Sequence, residues 1–396
     1  MPRTKSSVVF SIAFSAALSL GVAVHAQRAT TDAARVLDLA RRGNAQETWA
    51  AWNALPAGAA KLRAGVRAAV VLKDLPRGVD LYRQLATSTK SPDEALLKEL
   101  ALATATELAA GTDRDAAVTA CSAALRLAPT EQPCREMLER MASRGATTGE
   151  QAIGAYALAD AGLRPFPTLF TGLELNLSPS ARLAFARRFT HLSAAERVGL
   201  VRPLLSEGDA MNRYEAVGLV GEIPGAAAED ALRTMSTDDT RVKYARTVSL
   251  ALHGDTTSVQ SLRAMFDAQG ADLGVPAALA LARSGDARGA AALDAQMRGP
   301  VDLQRLYAAD AATKLNPTAG QATILQTLQT GSPAIRVLAV GAAGRAGLGR
   351  HEEVYTRLVG SEPELRAVAV AAIAETLLAP RTTAPAQPSA PPPLPQ

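Results

Sequence analysis

The pattern that decides the fold is clearest in Val242-Lys-Tyr-Ala-Arg-Thr-Val-Ser-Leu-Ala-Leu-His-Gly254-Asp255. The first 12 residues of this stretch, Val242 to His253, form a register that occurs eight times. Its copies start 30 or 31 residues apart, at Glu150, Ala181, Asn212, Val242, Leu273, Gln304, Ile335 and Leu365. Small or apolar residues fall at its first, fifth, sixth, eighth, ninth and twelfth positions, which form one face of an α-helix and do not alternate as in a strand. The sequence therefore predicts an all-α fold, an α-α superhelix built as a helical-repeat solenoid.

Two positions of the register have a restricted composition. The fifth position holds a small residue in most copies and the bulky Phe185 and Arg246 in the other two: Gly154, Phe185, Ala216, Arg246, Ala277, Ala308, Ala339 and Ala369. The second position is basic in six copies: Arg182, Arg213, Lys243, Arg305, Arg336 and Arg366. We expect helices to approach closely at position five. The basic residues have two interpretations, a ladder of contacts between repeats or a stripe that binds an acidic partner, and we favour the ladder.

Start and stop signals flank the registers. Three residues before a register stand side chains that can accept from the first-turn amides, namely Thr147, Ser178, Asp209, Asp239, Ser332 and, less well suited, Glu362. The candidates nearest to the other two registers are Asp272 and Asp302. Turn residues such as Gly254-Asp255 and Gly285-Asp286 follow, and then a second apolar segment, for example 227–235 or 258–266. The predicted unit is helix, tight turn, helix.

A basic residue at position two, alanine at five and six, an aliphatic residue at nine and Gly-Asp at the turn resemble the short HEAT repeats also called PBS-lyase-like HEAT repeats. The resemblance covers residues 146–378, and it implies a curved superhelix that serves as a protein-binding scaffold. It implies no lyase activity, because no residue pattern here marks a bilin site.

Residues 27–145 form a second helical region with a weaker repeat. Ala117, Cys121, Ala124 and Pro129 are spaced as in the second helix of a tetratricopeptide repeat and the proline that ends it. Further hairpins are expected around residues 43–44 and 73–74. We interpret this region as tetratricopeptide-like, while other four-helix arrangements fit the same pattern.

The two ends of the chain differ from the repeats. Arg3 and Lys5 precede an uncharged apolar run from Val8 to Val24, and small residues follow, which predicts a signal peptide of residues 1–26 cleaved after Ala26. An uncleaved anchor is the alternative, since a membrane span needs roughly 17–25 apolar residues. Residues 379–396 are rich in proline and are predicted to be a disordered tail. We therefore expect a periplasmic or secreted protein without a membrane span after cleavage.

Charge and cysteine content narrow the function further. Removing residues 1–26 takes away two basic residues and changes the formal charge from +4 to +2, which argues against a nucleic-acid partner. Cys121 and Cys134 are the two cysteines, and an oxidising compartment favours a disulfide between them. Two separate buried thiols are the alternative, and the spacing excludes a CxxC redox or zinc motif.

Catalytic and metal-binding patterns are lacking. His191, His253 and His351 are far apart in the sequence, and no GxSxG, GxxxxGK[ST] or DxDxDG motif occurs. Asp238 and Asp239 resemble a metal pair, but Asp239 occupies a helix-start position. We predict no catalytic residues, no metal site, no cofactor and no enzyme activity. The favoured function is an exported scaffold that binds another protein; the alternatives are an accessory subunit or enzyme with an unrecognised site, and a structural spacer in the cell envelope.

Overall fold

The structure, a computed structural model, describes residues 31–164, 177–207, 209–269 and 274–379. Within these ranges the chain folds into helices joined by short turns and contains no strand. The predicted all-α helical solenoid is confirmed. The predicted signal peptide and residues 380–396 of the predicted tail lie outside the described residues.

Seven helices precede the repeats. They are α1 (31–41), α2 (Ala45–Asn53), α3 (Ala59–Val71), α4 (Leu75–Thr89), α5 (Glu94–Ala110), α6 (Arg114–Leu127) and α7 (Gln132–Arg144). Turns separate these helices at residues 42–44 and 72–74, where hairpins were expected. The side chains of Asn44, Asp74, Asp93 and Asp113 accept hydrogen bonds from first-turn amides, which explains where α2, α4, α5 and α6 begin.

Each register forms one helix, which we call a first helix. The first helices are α8 (Thr148–Asp160), α9 (Pro179–Arg188), α11 (Ala210–Glu222), α13 (Thr240–Leu252), α15 (Val275–Arg283), α17 (Asp302–Thr313), α19 (Pro333–Arg345) and α21 (Pro363–Leu378). The helices between them are the second helices: α10 (Ala194–Glu207), α12 (Ala226–Thr234), α14 (Thr256–Gln269), α16 (Ala287–Met297), α18 (Gln321–Thr330) and the short α20 (Glu352–Tyr355), which continues into a 3₁₀ turn.

Most of the predicted start signals act as N-caps. Four side chains accept from first-turn amides, namely Thr147, Ser178, Asp209 and Asp239. Ser332 and Glu362 occupy the N-cap position without such a bond. Asp302 is the first residue of α17, whose N-cap is Val301, and Asp272 lies outside the described residues.

Each Gly-Asp turn connects a first helix to its second helix, and its aspartate also binds the preceding second helix. Gly254 and Gly285 adopt φ values of 89° and 82°, which favour glycine. Asp255 caps α14 and accepts a hydrogen bond of 3.0 Å from Arg233 of α12. Asp286 caps α16 and accepts one of 3.2 Å from Arg263 of α14. These turns therefore carry a polar ladder along the outside of the array.

Small residues set the spacing between helices. At position five, every residue is buried except Arg246, whose guanidinium donates to the carbonyl oxygens of residues 232 and 233 at the end of α12. A second close contact joins position ten of one first helix to position eight of the next. A Cβ at Gly221 would lie 2.6 Å from the Cβ of Ser249, and a Cβ at Gly344 would lie 2.6 Å from the Cα of Ala372. First helices are therefore packed closely side by side.

The array closes on itself. Each first helix contacts the next, with α8 and α9 joined through Tyr156 and Phe185, whose ring centroids are 5.0 Å apart. The last first helix, α21, packs against α5 and α6 as well as α19. The first helices and α6 therefore form a continuous ring, with the second helices on its outside.

Contacts between distant parts of the chain hold this closure. The rings of Tyr82 and Tyr355 meet edge to face at 5.0 Å. Arg350 donates to Glu94 at 3.0 Å although the two residues are 256 positions apart in the sequence. Arg366 forms an ion pair of 3.0 Å with Glu107 of α5. We call this junction of α21 with α5 and α6 the seam; it joins the two regions that the sequence pattern separates near residue 145.

No helix among the described residues combines the length and the apolar character that crossing a membrane requires.

Candidate functional site

One side of the first helices stays open. Each first helix is covered on its outer side by its own second helix and on its two flanks by the neighbouring first helices. The side that remains faces the middle of the ring. It carries positions four, seven and eleven of the register, although Ala245 at position four and Val248 and Leu279 at position seven are buried. A Cβ at Gly218, at position seven of α11, would have no neighbouring atom within 4 Å. We call this surface, from α9 to α21, the inner face.

Large apolar side chains are exposed on the first helices and at their ends. Met211, Tyr214, Tyr307 and Leu338 expose 57%, 42%, 50% and 43% of their surface. Tyr307 and Leu338 occupy position four of successive repeats, and the half-buried Val368 occupies position four of the next. Of the eight large hydrophobic residues that are exposed within the described ranges, seven lie on or beside a first helix and none on a second helix. Among these seven, Tyr307 and Leu338 lie at a position of the inner face, on neighbouring first helices.

Charged pairs cross between first helices on the same face. Arg187 at position seven of α9 donates to Glu215 at position four of α11, at 3.0 Å. Arg345 at position eleven of α19 donates to Asp310 at position seven of α17, also at 3.0 Å. These pairs place polar groups of both signs around the apolar residues.

Position eleven forms a band of ionisable side chains at the carboxyl ends of the first helices. Seven of its eight residues can carry charge: Asp160, His191, Glu222, Leu252, Arg283, Lys314, Arg345 and Glu375. Sequence reasoning missed this band because it followed only the apolar positions and position two. The signal lay within the register itself.

The seam holds an open cavity of about 390 Å³ near this band. It is lined by Arg126 of α6, Ala161 after α8, His191 after α9, and Glu375, Leu378 and Ala379 at the end of α21. Burial lowers the pKa of the Arg126 guanidinium and raises the pKa of the Glu375 carboxyl. Desolvation and then the positive charge of Arg126 lower the pKa of His191. This cavity exists only because the two ends of the array meet.

Asp160, near the cavity, has hydrogen-bond donors for its carboxylate. Its carboxylate accepts from the Ser122 hydroxyl at 3.0 Å and from the His191 backbone amide at 2.8 Å. His191 is one of the three histidines that the sequence places far apart. It follows α9 and lines the cavity, as do residues from the other end of the chain. No local pattern could have predicted that meeting.

The basic residues at position two lie away from the inner face. Positions two and eleven are nine residues apart, which is two and a half helical turns, so they lie on opposite sides of a helix. Arg336 pairs with Glu362 of the next repeat at 3.4 Å, Lys243 pairs with Asp238 at 3.6 Å, and Arg182 donates to the carbonyl of Leu200 at 3.4 Å. Of these three contacts, only the Arg336–Glu362 pair joins one repeat to the next, as a ladder between repeats would require; the other two lie within a repeat or its leading loop.

Cys121 of α6 and Cys134 of α7 are joined by a disulfide, with their Cα atoms 4.9 Å apart. Cys121 is fully buried in the helix that receives α21. The bond therefore ties the seam to the helical hairpin behind it.

The residues considered for catalysis or metal binding lie at helix ends, where two of them cap the following helix. His253 follows the end of α13, and the Nδ1 of His351 accepts from the amide of Glu353 at the start of α20. Asp239 caps α13 through the amides of Arg241 and Val242. Among the described residues, no group of three or more metal-ligand side chains comes together. Compared with models of protein families, with curated proteins and with solved structures, the chain matches none.

Proposed function

We propose that this protein is an exported helical-repeat scaffold that binds another protein on the inner face of its ring. The observation that carries the proposal is the distribution of exposed apolar residues. They concentrate on the first helices, whereas the second helices carry none within the described ranges. Exposed apolar patches surrounded by polar groups are typical of protein-binding surfaces.

The composition of the inner face supports a protein partner. Tyrosine and methionine are enriched at protein interfaces; Tyr307 is exposed on this face, and Met211 and Tyr214 are exposed on the first helix α11. The charges around them have both signs, as in the Arg187–Glu215 pair. A partner of mixed polarity fits this surface better than a polyanion, because a nucleic acid would require a basic stripe.

The HEAT-like interpretation is consistent with this use of the fold. In such a repeat, the curved stack of first helices offers an extended surface without any built-in chemistry. The resemblance in residues 146–378 supports the scaffold proposal. The proposal includes no catalysis and no cofactor.

Export is part of the same proposal. The basic and apolar residues before Ala26 support a secretory signal. The disulfide between Cys121 and Cys134 supports an oxidising compartment, such as the periplasm or the outside of the cell.

Site-specific photo-crosslinking in cells tests the binding surface. A photoreactive amino acid is placed at Tyr307 or Leu338 on the inner face, and in control variants at Gln260 or Gln326, which are exposed on the second helices α14 and α18. We expect one partner to be captured from the inner positions and not from the outer ones. Equal capture from both sets, or no capture from any, would contradict the proposal.

Affinity measurements with the captured partner complete the test. Tyr307→Ala and Leu338→Ala remove side chains that the ring leaves about half exposed, so folding should be affected less than by truncation of a buried residue. Each variant should weaken binding by about 1–2 kcal/mol, as expected for apolar side chains within an interface. Gln326→Ala serves as the matched control and should bind like the parent.

A further inference from the structure

The seam cavity contains a cation without a partner. The Nε and Nη1 atoms of Arg126 are shielded from solvent and make no hydrogen bond. The nearby carboxylate of Asp160 is already engaged by Ser122 and by the backbone amide of His191. A guanidinium group enclosed without an acceptor is unfavourable, because it loses hydration and gains no compensating bond. Arg126 therefore lacks an anionic acceptor in this cavity.

The same cavity is lined by an acidic side chain, Glu375, near the end of α21. Glu375 is half-buried, and its carboxylate accepts no hydrogen bond from the described residues. It does not form an ion pair with Arg126, although both side chains line the cavity. The positive charge of Arg345 also acts on Glu375, but Arg345 is paired with Asp310. Glu375 therefore lacks a cationic donor.

The size and walls of the cavity define the ligand class. Its volume of about 390 Å³ lies at the lower end of the range of small-molecule pockets, about 300–1,000 Å³. Ala161, Leu378 and Ala379 contribute apolar lining beside the two charged groups. A molecule that fits must be small and must carry both a negative group and a positive group.

We infer that the seam cavity binds a small zwitterion of the α-amino acid class. The ligand carboxylate accepts hydrogen bonds from the guanidinium of Arg126, and its ammonium group donates to the carboxylate of Glu375. The side chain lies against Leu378 and the two alanines. Because its walls come from α6 and α21, bound ligand also joins the two ends of the ring.

Calorimetry and thermal melting of the purified protein test this inference. The probes are the standard L-amino acids, together with matched amines that lack the carboxylate and matched acids that lack the amine. We expect at least one amino acid to release heat and to raise the melting temperature, and both matched analogues to bind at least tenfold more weakly. If no amino acid binds, or if a singly charged analogue binds equally well, the inference is wrong.

Three variants locate the site. Arg126→Gln and Glu375→Gln should each weaken binding about ten- to hundredfold, since each removes a charge-assisted hydrogen bond. Arg283→Gln removes a charge from position eleven on the far side of the ring and should bind like the parent. Without ligand, Arg126→Gln should melt no lower than the parent, because it removes an unpaired enclosed charge. Unchanged affinity in Arg126→Gln and Glu375→Gln would refute the assignment of this cavity.

Discussion

Two pairs of glycines in the ring allow a direct test of how closely the first helices pack. Gly218 and Gly221 occupy positions seven and ten of α11, and Gly341 and Gly344 occupy the same positions of α19. Position seven lies on the open inner face, whereas position ten lies against the next first helix. The same substitution, glycine to alanine, should therefore have opposite effects at the two positions of each helix.

The magnitude follows from the space around each glycine. At Gly344 an added Cβ would lie 2.6 Å from the Cα of Ala372, so the helices must separate by nearly 1 Å to reach an ordinary contact. Overpacking of this kind costs about 1–3 kcal/mol. Alanine recovers about 0.5–1 kcal/mol of helix propensity. We expect Gly344→Ala to lose roughly 0.5–2 kcal/mol in net unfolding free energy.

The control gains stability instead. At Gly341 the only atom near an added Cβ would be the end of the flexible Arg345 side chain, at 3.6 Å. Gly341→Ala should therefore raise the unfolding free energy by up to about 1 kcal/mol through helix propensity alone. The two variants should differ by about 1–3 kcal/mol, which corresponds to several degrees in melting temperature.

Thermal and urea unfolding followed by circular dichroism measure these differences. Gly218→Ala and Gly221→Ala repeat the comparison at a place far from the seam, where a Cβ at residue 221 would meet the Cβ of Ser249 at 2.6 Å. If both position-ten variants are as stable as their position-seven controls, the close contact between first helices is refuted.

Three further predictions concern the disulfide, the repeats and the turns. Replacing both Cys121 and Cys134 by serine should cost about 2–4 kcal/mol, and reductant should bring the melting temperature of the parent to that of the variant. The repeat pattern alone predicts that deletion of residues 273–303 as a whole unit is tolerated better than Leu281→Asp, which buries a charge; ring closure reverses this order, because the deletion prevents α21 from reaching α6, and a smaller loss of melting temperature in the deletion than in Leu281→Asp would contradict closure. The side-chain hydrogen bond from Arg288 lowers the pKa of Asp286 in the folded protein below its ordinary value near 4. The ionised Asp286 therefore stabilises the fold fully above that ordinary value, and this stabilisation is lost as the pH falls through the lower pKa of the folded protein. Asp286→Asn should therefore melt below the parent at neutral pH and converge with it in acid, while Asn at the exposed Asp294 should have no effect at either pH.

Most of the fold could be predicted from the repeat period, because the period depends only on residues that are close in the sequence. Each register places its small and apolar residues on one helical face, and each N-cap such as Asp209 lies three residues upstream, so the first helices could be located from the sequence. The turns near residues 43 and 73 were marked in the same way by local residue types. These features depend on a few neighbouring residues.

Closure could not be predicted by the same means. Whether an array forms an open superhelix or a ring depends on small rotations that add up over all repeats. The meeting of Glu94 with Arg350, or of Tyr82 with Tyr355, leaves no periodic signal in the sequence. The cavity that contains Arg126, His191 and Glu375 follows from closure and was missed for that reason. The charged band at position eleven was recoverable, since it repeats with the register.

Ring closure also sets the order of events during biosynthesis. The partner of α6 is the last helix of the array, and the contacts that join them span about 250 residues of sequence. At about 5–20 residues per second, a ribosome needs roughly 12–50 s to make the intervening chain. During that time the apolar surface of α5 and α6 that receives α21 has no native partner. A chain folding during translation would therefore need a chaperone or delayed collapse to protect this surface until residues 363–378 arrive.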